Sequence, residues 1–173
     1  MKSNPVSAQE EDFIKECLQY DAEKGIVSWR VDAGRGASRR HPGDIAGCRL
    51  SEGYIQIKVH GRKYLAHRIA WFLHYGEWTE NEVDHINGSK IDNRILNLRN
   101  ATRAQNKQNE RLRDCNTSGY KGVSFCKNRM KWRGGVMING KKFDLGFFTE
   151  VHDAGMATEK LRDKLHGEFS RSI

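Results

Sequence analysis

The sequence predicts an α+β chain built from small antiparallel sheets and short amphipathic helices. Three observations predict it: short runs in which apolar residues alternate, other stretches in which they recur at helical spacing, and an Asn139-Gly140 pair between two alternating runs. The 173 residues are 37% hydrophobic and 30% charged with two prolines, which suits one or two domains and is neither collagen-like nor disordered.

In chain order, Phe13, Ile14, Cys17 and Leu18 mark a helix over 11–20, which Tyr20-Asp21-Ala22-Glu23-Lys24-Gly25 closes. A strand follows over 26–31. The glycine- and arginine-rich stretch 32–40 reads as a mobile loop that either touches phosphates or is simply solvated. Tyr54, Ile55, Ile57 and Val59 form a strand, Gly61-Arg62 a turn, and Leu65, Ile69, Phe72 and Leu73 the apolar stripe of a helix over 64–75. Trp71 and Trp78 belong in the core rather than stacked on bases. Residues 83–86 form a brief strand, 87–94 a polar loop and 95–99 a second strand. Thr102-Arg103-Ala104-Gln105 is a capping box, so a helix begins at Thr102 and runs to about Arg113. Strand, loop, strand and helix make a hairpin laid against a helix. Residues 114–119 have linker composition. Beyond them, 120–125, 132–138 and 141–145 read as three strands, and Thr149 caps a final helix whose stripe is Val151, Ala154, Thr158, Leu161 and Leu165. The expected organisation is a leader region at 1–53, a central domain at 54–113, the linker, and a second domain at 120–173.

Charge separates these regions. The net charge of +8 resolves into −1 over 1–53, +5 over 54–113 and +4 over 114–173. A basic surface concentrates a polyanion and gains affinity by releasing its counterions, so the choice lies between a nucleic-acid partner and a protein that is merely basic. The longest apolar stretch, around 69–73, falls far short of the ~20 residues a bilayer crossing needs, and residues 1–11 lack a signal-peptide core. No basic helix carries large apolar anchors for a membrane surface. The expectation is a soluble cytoplasmic protein without a membrane partner, and no obligatory protein partner is evident. Cys17, Cys48, Cys115 and Cys126 stand singly, which suggests neither structural zinc nor disulfides.

The residues that carry chemistry are Asp84, His85, Asn97 and Asn106. Phosphodiester hydrolysis needs a general base for water, an electrophile for the charge growing on phosphate, and fixed geometry between them. His85 at a strand end can aim its imidazole into a groove, and Asp84 offers a hard oxygen to a divalent cation. Asn106 on the first turns of the helix can reach the same cation. Such ligands suit Mg²⁺ or Mn²⁺ better than zinc. Asn97 can fold back across the loop and hold the histidine. Asp84-His85, then Asn97-Leu98-Arg99 twelve residues after the histidine, then Asn106 nine further on, resembles the HNH nuclease motif of phage and intron homing endonucleases. The resemblance implies a ββα-metal (His-Me finger) core that cuts DNA with one divalent ion in a bacterial or phage-infected cell. It also implies that His85 is the general base, Asn97 orients it, and Asp84 and Asn106 are the metal ligands. Asn106 replaces the eponymous last histidine, as is common in this branch.

Upstream, Tyr20-Asp21, Gly25, Trp29, Gly53-Tyr54 and His67-Arg68 resemble the leader that often precedes the motif. His67 and Arg68 serve either as phosphate contacts or as structural residues. Arg99, Arg103, Lys107 and Arg111 recur every four residues and share a broad face beside the expected nuclease centre, where clamping of the DNA backbone is the better reading.

Gly119-Tyr120-Lys121-Gly122-Val123, Lys131-Trp132, Leu145-Gly146-Phe147-Phe148 and Ala154 resemble the APETALA-type, ethylene-response-factor-like DNA-binding domain, which lays a three-stranded sheet in the major groove. On the second strand Trp132, Val136 and Ile138 share a face toward the helix. Lys131, Arg133, Gly135 and Met137 share the other, with Gly134 and Gly135 expected to let DNA approach. Lys121, Lys127, Arg129, Lys141 and Lys142 extend the basic surface. Ser124, Cys126 and Met137 stand where the plant domains carry base-reading arginines, so phosphate positioning should dominate. The reading is an HNH homing endonuclease acting on double-stranded DNA. Its rivals are a non-catalytic DNA-binding regulator that keeps an HNH-like scaffold, and an RNA-binding accessory protein, for which no aromatic stacking platform is apparent.

Overall fold

The first helix, α1 (Ala8–Cys17), starts from a capping box: the Ser7 hydroxyl accepts the Glu10 N–H and the Glu10 carboxylate accepts the Ser7 N–H. Glu10 also receives Arg62 Nη1 at 2.8 and 2.9 Å, which ties the helix to a strand fifty-two residues on. In this computed structural model residues 6–36, 39–109, 112, 115–138 and 140–166 are described. The fold is mixed α/β and divides into two units, 1–100 and 101–173.

In the first unit α1 ends at Cys17, and the chain enters a hairpin of β1 (Leu18–Asp21) and β2 (Ile26–Trp29). The expected helix over 11–20 therefore starts and ends earlier, and Tyr20–Gly25 does not close it. Leu18 and Tyr20 belong to a strand too short to be told from a helix end by periodicity. The turn is set by Asp21, whose Oδ1 accepts the N–H of Glu23 and Lys24, and by Gly25 at φ 70°. β3 (Cys48–Arg49), β4 (Ile55–Val59) and β5 (Arg62–Leu65) form the next sheet. His60 and Gly61 both take positive φ in the tight turn between β4 and β5, so Arg62 opens a strand instead of completing the turn. Tyr64 and Leu65 finish β5 before α2 (Ala66–Tyr75) begins; the expected helix thus loses its first two residues to the sheet. α2 ends at Gly76, whose φ of 81° is the left-handed cap that glycine favours.

The core joins Ile14, Leu18, Val27 and Trp29 to Ile57, Val59, Ile69, Phe72, Val83 and Leu98. The leader region and the motif region therefore share one apolar interior. β6 (Glu82–His85) pairs with β7 (Leu98–Ala101). Residues 95–97, expected as strand, form a 3₁₀ turn because the Asn97 N–H closes on the Arg94 carbonyl at 2.9 Å.

In the second unit α3 (Arg103–Asn109) opens on the expected capping box: Gln105 Oε1 accepts the Thr102 N–H at 2.8 Å, and the Thr102 hydroxyl accepts the Gln105 N–H at 3.3 Å. Of the expected continuation to Arg113, residues 110, 111 and 113 lie outside the described residues, as does Asn139 of the hairpin, while Leu112 is not helical. A three-stranded antiparallel sheet of β8 (Val123–Cys126), β9 (Lys131–Ile138) and β10 (Lys141–Phe148) follows, with β9 central. The buried residues of β9 are Gly134 and Val136, on the face that meets α4 (Val151–His166). Gly134, expected to make room for DNA, makes room for the helix instead, since a Cβ there would come within 2.8 Å of Thr158 Oγ1.

Candidate active site

β6 is a strand with no solvent face at its end: Val83, Asp84 and His85 are all buried, the last two 6% and 4% exposed. Burial of a carboxylate and an imidazole side by side requires partners. Asp84 Oδ2 accepts both Arg99 Nε and Arg99 Nη2 at 2.9 Å across the β6–β7 pair. His85 Nε2 lies 3.0 Å from the Oδ1 of Asn93, itself 2% exposed. The His85 ring meets His67 edge to face, with centroids 4.9 Å apart, and the Tyr54 ring lies 5.3 Å from His67 and 6.2 Å from His85. Lys90 reaches over the Tyr54 ring at 4.6 Å and donates to the Glu52 carbonyl at 2.8 Å.

The loop between the strands is held chiefly by Asn97. Its Nδ2 donates to Asn87 Oδ1 at 3.0 Å and to the Asp92 carbonyl at 2.7 Å, while its Oδ1 accepts the Asn87 N–H at 3.0 Å. Its carbonyl accepts the Ile86 N–H at 2.9 Å. One buried amide thus ties the residues just after His85 to the far end of the loop. Asp92 is bidentate with Arg94 at 2.6 and 2.7 Å, and those contacts, led by the hydrogen bond, hold its carboxyl down to about 2.

Burial pushes the His85 imidazole below its ordinary range, against the raising effects of its Asn93 bond and of Asp84 and Asp92. His67 is pushed to about 3, first by burial, then by His85 and Arg68. Both rings are neutral near pH 7. A neutral imidazole can accept a proton, and a carboxylate can hold a hard cation. Among the described residues no group of three or more His, Cys, Asp or Glu side chains is disposed to hold a metal ion.

The remaining residues singled out by the sequence fall in distinct places. His67 is 5% exposed beneath His85 and Tyr54, not on a surface that a backbone phosphate would meet, whereas Arg68 is half-buried. Arg99, expected on the basic face of a helix, lies in β7 and is engaged by Asp84. Asn106, Arg103 and Lys107 lie on α3 in the second unit, the two cations exposed. On the sheet, Lys127, Arg129, Lys131, Lys141 and Lys142 are exposed and Lys121 is half-buried. Arg133 is taken up by an ion pair with Asp144. Arg129 stacks over Phe147 at 4.5 Å. Sequence reasoning missed Asn93, because nothing separates it from the other polar residues of 87–94, and read Tyr54 only as a strand and leader residue.

No helix among the described residues is long and apolar enough to cross a membrane. Residues 64–108 match the family model of the HNH endonuclease. That span takes in α2, β6, its loop, β7 and most of α3. Protein 3.8 of Escherichia phage T7 is 35% identical over 89 residues, covering 51% of this chain and 73% of the relative. No solved structure matches. The chain carries an HNH endonuclease domain and belongs to one family with Protein 3.8 of phage T7.

Proposed function

We propose that the protein is a metal-dependent DNA endonuclease of the homing type that hydrolyses phosphodiester bonds in double-stranded DNA. The observation that carries this reading is the buried Asp84-His85 pair at the end of β6, with a loop tied across by Asn97. His85 takes the proton of the attacking water as general base. Asn97 holds the loop that orients it, and His67 and Tyr54 pack its ring. Asp84 is the carboxylate donor for the cation, and Asn106 enters as the second donor on the motif spacing alone. A carboxylate and an amide oxygen fit a hard ion such as Mg²⁺ or Mn²⁺ and do not resemble a zinc site. When bound, such an ion neutralises charge on the scissile phosphate and its leaving oxygen.

Residues 120–173 serve as an APETALA-type module that anchors the enzyme on DNA. The support is a three-stranded antiparallel sheet covered by one helix, with Lys131, Arg133 and Lys142 on its open face, where Lys142 pairs with Met137. Arg68, Arg103, Lys107, Lys121, Lys127, Arg129 and Lys141 extend the backbone contacts.

Purified protein incubated with supercoiled plasmid should cut it with Mg²⁺ or Mn²⁺ and not with EDTA. His85→Ala and Asn106→Ala should lose cleavage, by about 100-fold or more for the base, and keep DNA affinity. Near-normal cutting by His85→Ala would overturn the assignment. The two Arg99 contacts on Asp84 Oδ2 favour one second reading, a DNA-binding regulator that retains the scaffold. It requires tight binding with no metal-dependent scission of the same plasmid.

A further inference from the structure

We propose that the N-terminal β1–β2 hairpin is a clamp that positions the general base through Asn93, so that residues some sixty positions upstream of the motif set its geometry. The inference rests on His85 being that base.

Three interactions from the hairpin converge on consecutive residues of the loop. The Tyr20 hydroxyl donates to the Asn93 carbonyl at 2.6 Å. The Ile95 N–H donates to the Ala22 carbonyl at 3.1 Å. Between them, Gly25 presses against the Asn93–Arg94 peptide so closely that a Cβ would lie 2.4 Å from Arg94 N and 2.6 Å from Asn93 C. Backbone stands on both sides of that approach, so neither can yield as a flexible side chain would. Gly25 also sits at φ 70° and closes the turn with its N–H on the Asp21 carbonyl at 2.8 Å. A turn fixed by Asp21 thus grips the backbone of 93–95 from outside while Asn97 holds the same loop at Asp92.

The gripped residue is the one that touches the base. A neutral imidazole has one N–H, and where Nε2 donates to the Asn93 amide oxygen, Nδ1 carries the lone pair that accepts the water proton. Asn93 is accordingly a positioning residue that selects the tautomer, and Tyr20 and Gly25 position Asn93. This gives a physical reason for the tyrosine, the glycine and their five-residue spacing in the leader.

The test uses the full chain, with Tyr20→Phe, Gly25→Ala, Asn93→Ala and Asn93→Asp. Tyr20→Phe and Gly25→Ala should lower kcat on plasmid about 10- to 100-fold, the loss a slightly misplaced group produces. Affinity for DNA, measured by fluorescence anisotropy without divalent metal, should stay within about twofold, since the change spares the binding surface. Asn93→Ala should cost at least as much and move the His85 ring ¹⁵N shifts away from the Nε2–H pattern. Asn93→Asp, which keeps an oxygen acceptor, should restore both in part. If Gly25→Ala fails to fold by circular dichroism, Tyr20→Phe carries the test, because it removes one oxygen atom and fills the same space. Wild-type kcat and an unchanged His85 ¹⁵N pattern in folded Tyr20→Phe and Asn93→Ala would overturn the clamp. Cleavage abolished by His85→Ala but untouched by the hairpin variants would sink the clamp alone. A wild type that never cuts, yet whose His85 tautomer shifts in Asn93→Ala and Tyr20→Phe, would sink the nuclease reading and leave only the hairpin's hold on the His85 ring.

Discussion

His67 illustrates how a single residue type can serve two opposite ends. Histidine is mostly valued for a charge that comes and goes near neutral pH, but a ring 5% exposed between Tyr54, His85 and the adjoining Arg68 gains nothing from that charge. Its pKa falls from about 6.5 to about 3, chiefly through burial. The folded state therefore binds the proton more weakly than the unfolded chain does. The stability His67 contributes is complete above pH 6.5 and is lost as pH falls from there toward 3, by at most about 1.4 kcal/mol per pH unit. Urea unfolding midpoints between pH 7.5 and 5 should decline more steeply for the wild type than for His67→Phe, which keeps a buried ring and has no proton to bind. Parallel slopes would refute the assignment. The site's legibility follows the same chemistry. Asp84, His85 and Asn97 are legible because their spacing matches the HNH motif, and the fold buries the first two side by side and ties the loop through the third. His67 and Arg99 are residue types that suggest a phosphate partner from sequence, and only the fold shows His67 against another ring and Arg99 on Asp84.

At the scale of elements, the strands with clean alternation are legible in the sequence and the short, irregular ones are not. β9 declares its two faces over eight residues, and the Thr102 box declares the start of α3. β1 has four residues, and the turn at 95–97 lies inside an apolar run that reads equally well as strand. Glycine is where sequence reasoning chose the wrong partner. A strand position without a side chain suggests room for a ligand, yet the space at Gly134 is filled by Thr158, whose hydroxyl is already committed to the Ala154 carbonyl at 2.6 Å. Thr158 cannot turn aside without breaking that bond. Gly134→Ala should therefore destabilise the second unit by about 1–3 kcal/mol through overpacking, seen as a lower urea midpoint. Met137→Ala, on the opposite and exposed face of the same strand, should stay within about 0.5 kcal/mol. Equal effects would mean that the sheet does not pack on α4 through Gly134.

At the scale of the whole chain, the division at Asn100 sharpens what the charge means. Residues 1–100 sum to +1 and residues 101–173 to +7, so nearly the entire excess belongs to the unit that lacks His85. That unit also carries α3 and the end of the HNH match, so its excess divides into +3 over 101–113 and +4 over 114–173, and the proposed anchoring rests on the latter share. Within that unit the cations are unequal. Lys131 and Lys142 are exposed on the open face of the sheet, whereas Arg133 faces Asp144 and holds that carboxyl at about 2. A cation already matched to a carboxylate releases fewer counterions when it meets a phosphate than one facing water. Replacing Lys131 and Lys142 together by alanine should lower the slope of log K against log salt by up to about 2, near 0.9 for each phosphate no longer neutralised. Arg133→Ala should change the slope by less than either lysine alone. In all of these variants kcat at saturating DNA should remain within about twofold of wild type, because the interactions removed are made equally in the ground and transition states. Anisotropy titrations across a salt series, paired with plasmid cleavage at saturation, measure both quantities. A double lysine variant with an unchanged slope, or one whose kcat collapses with its affinity, would show that this sheet does not serve as the anchor.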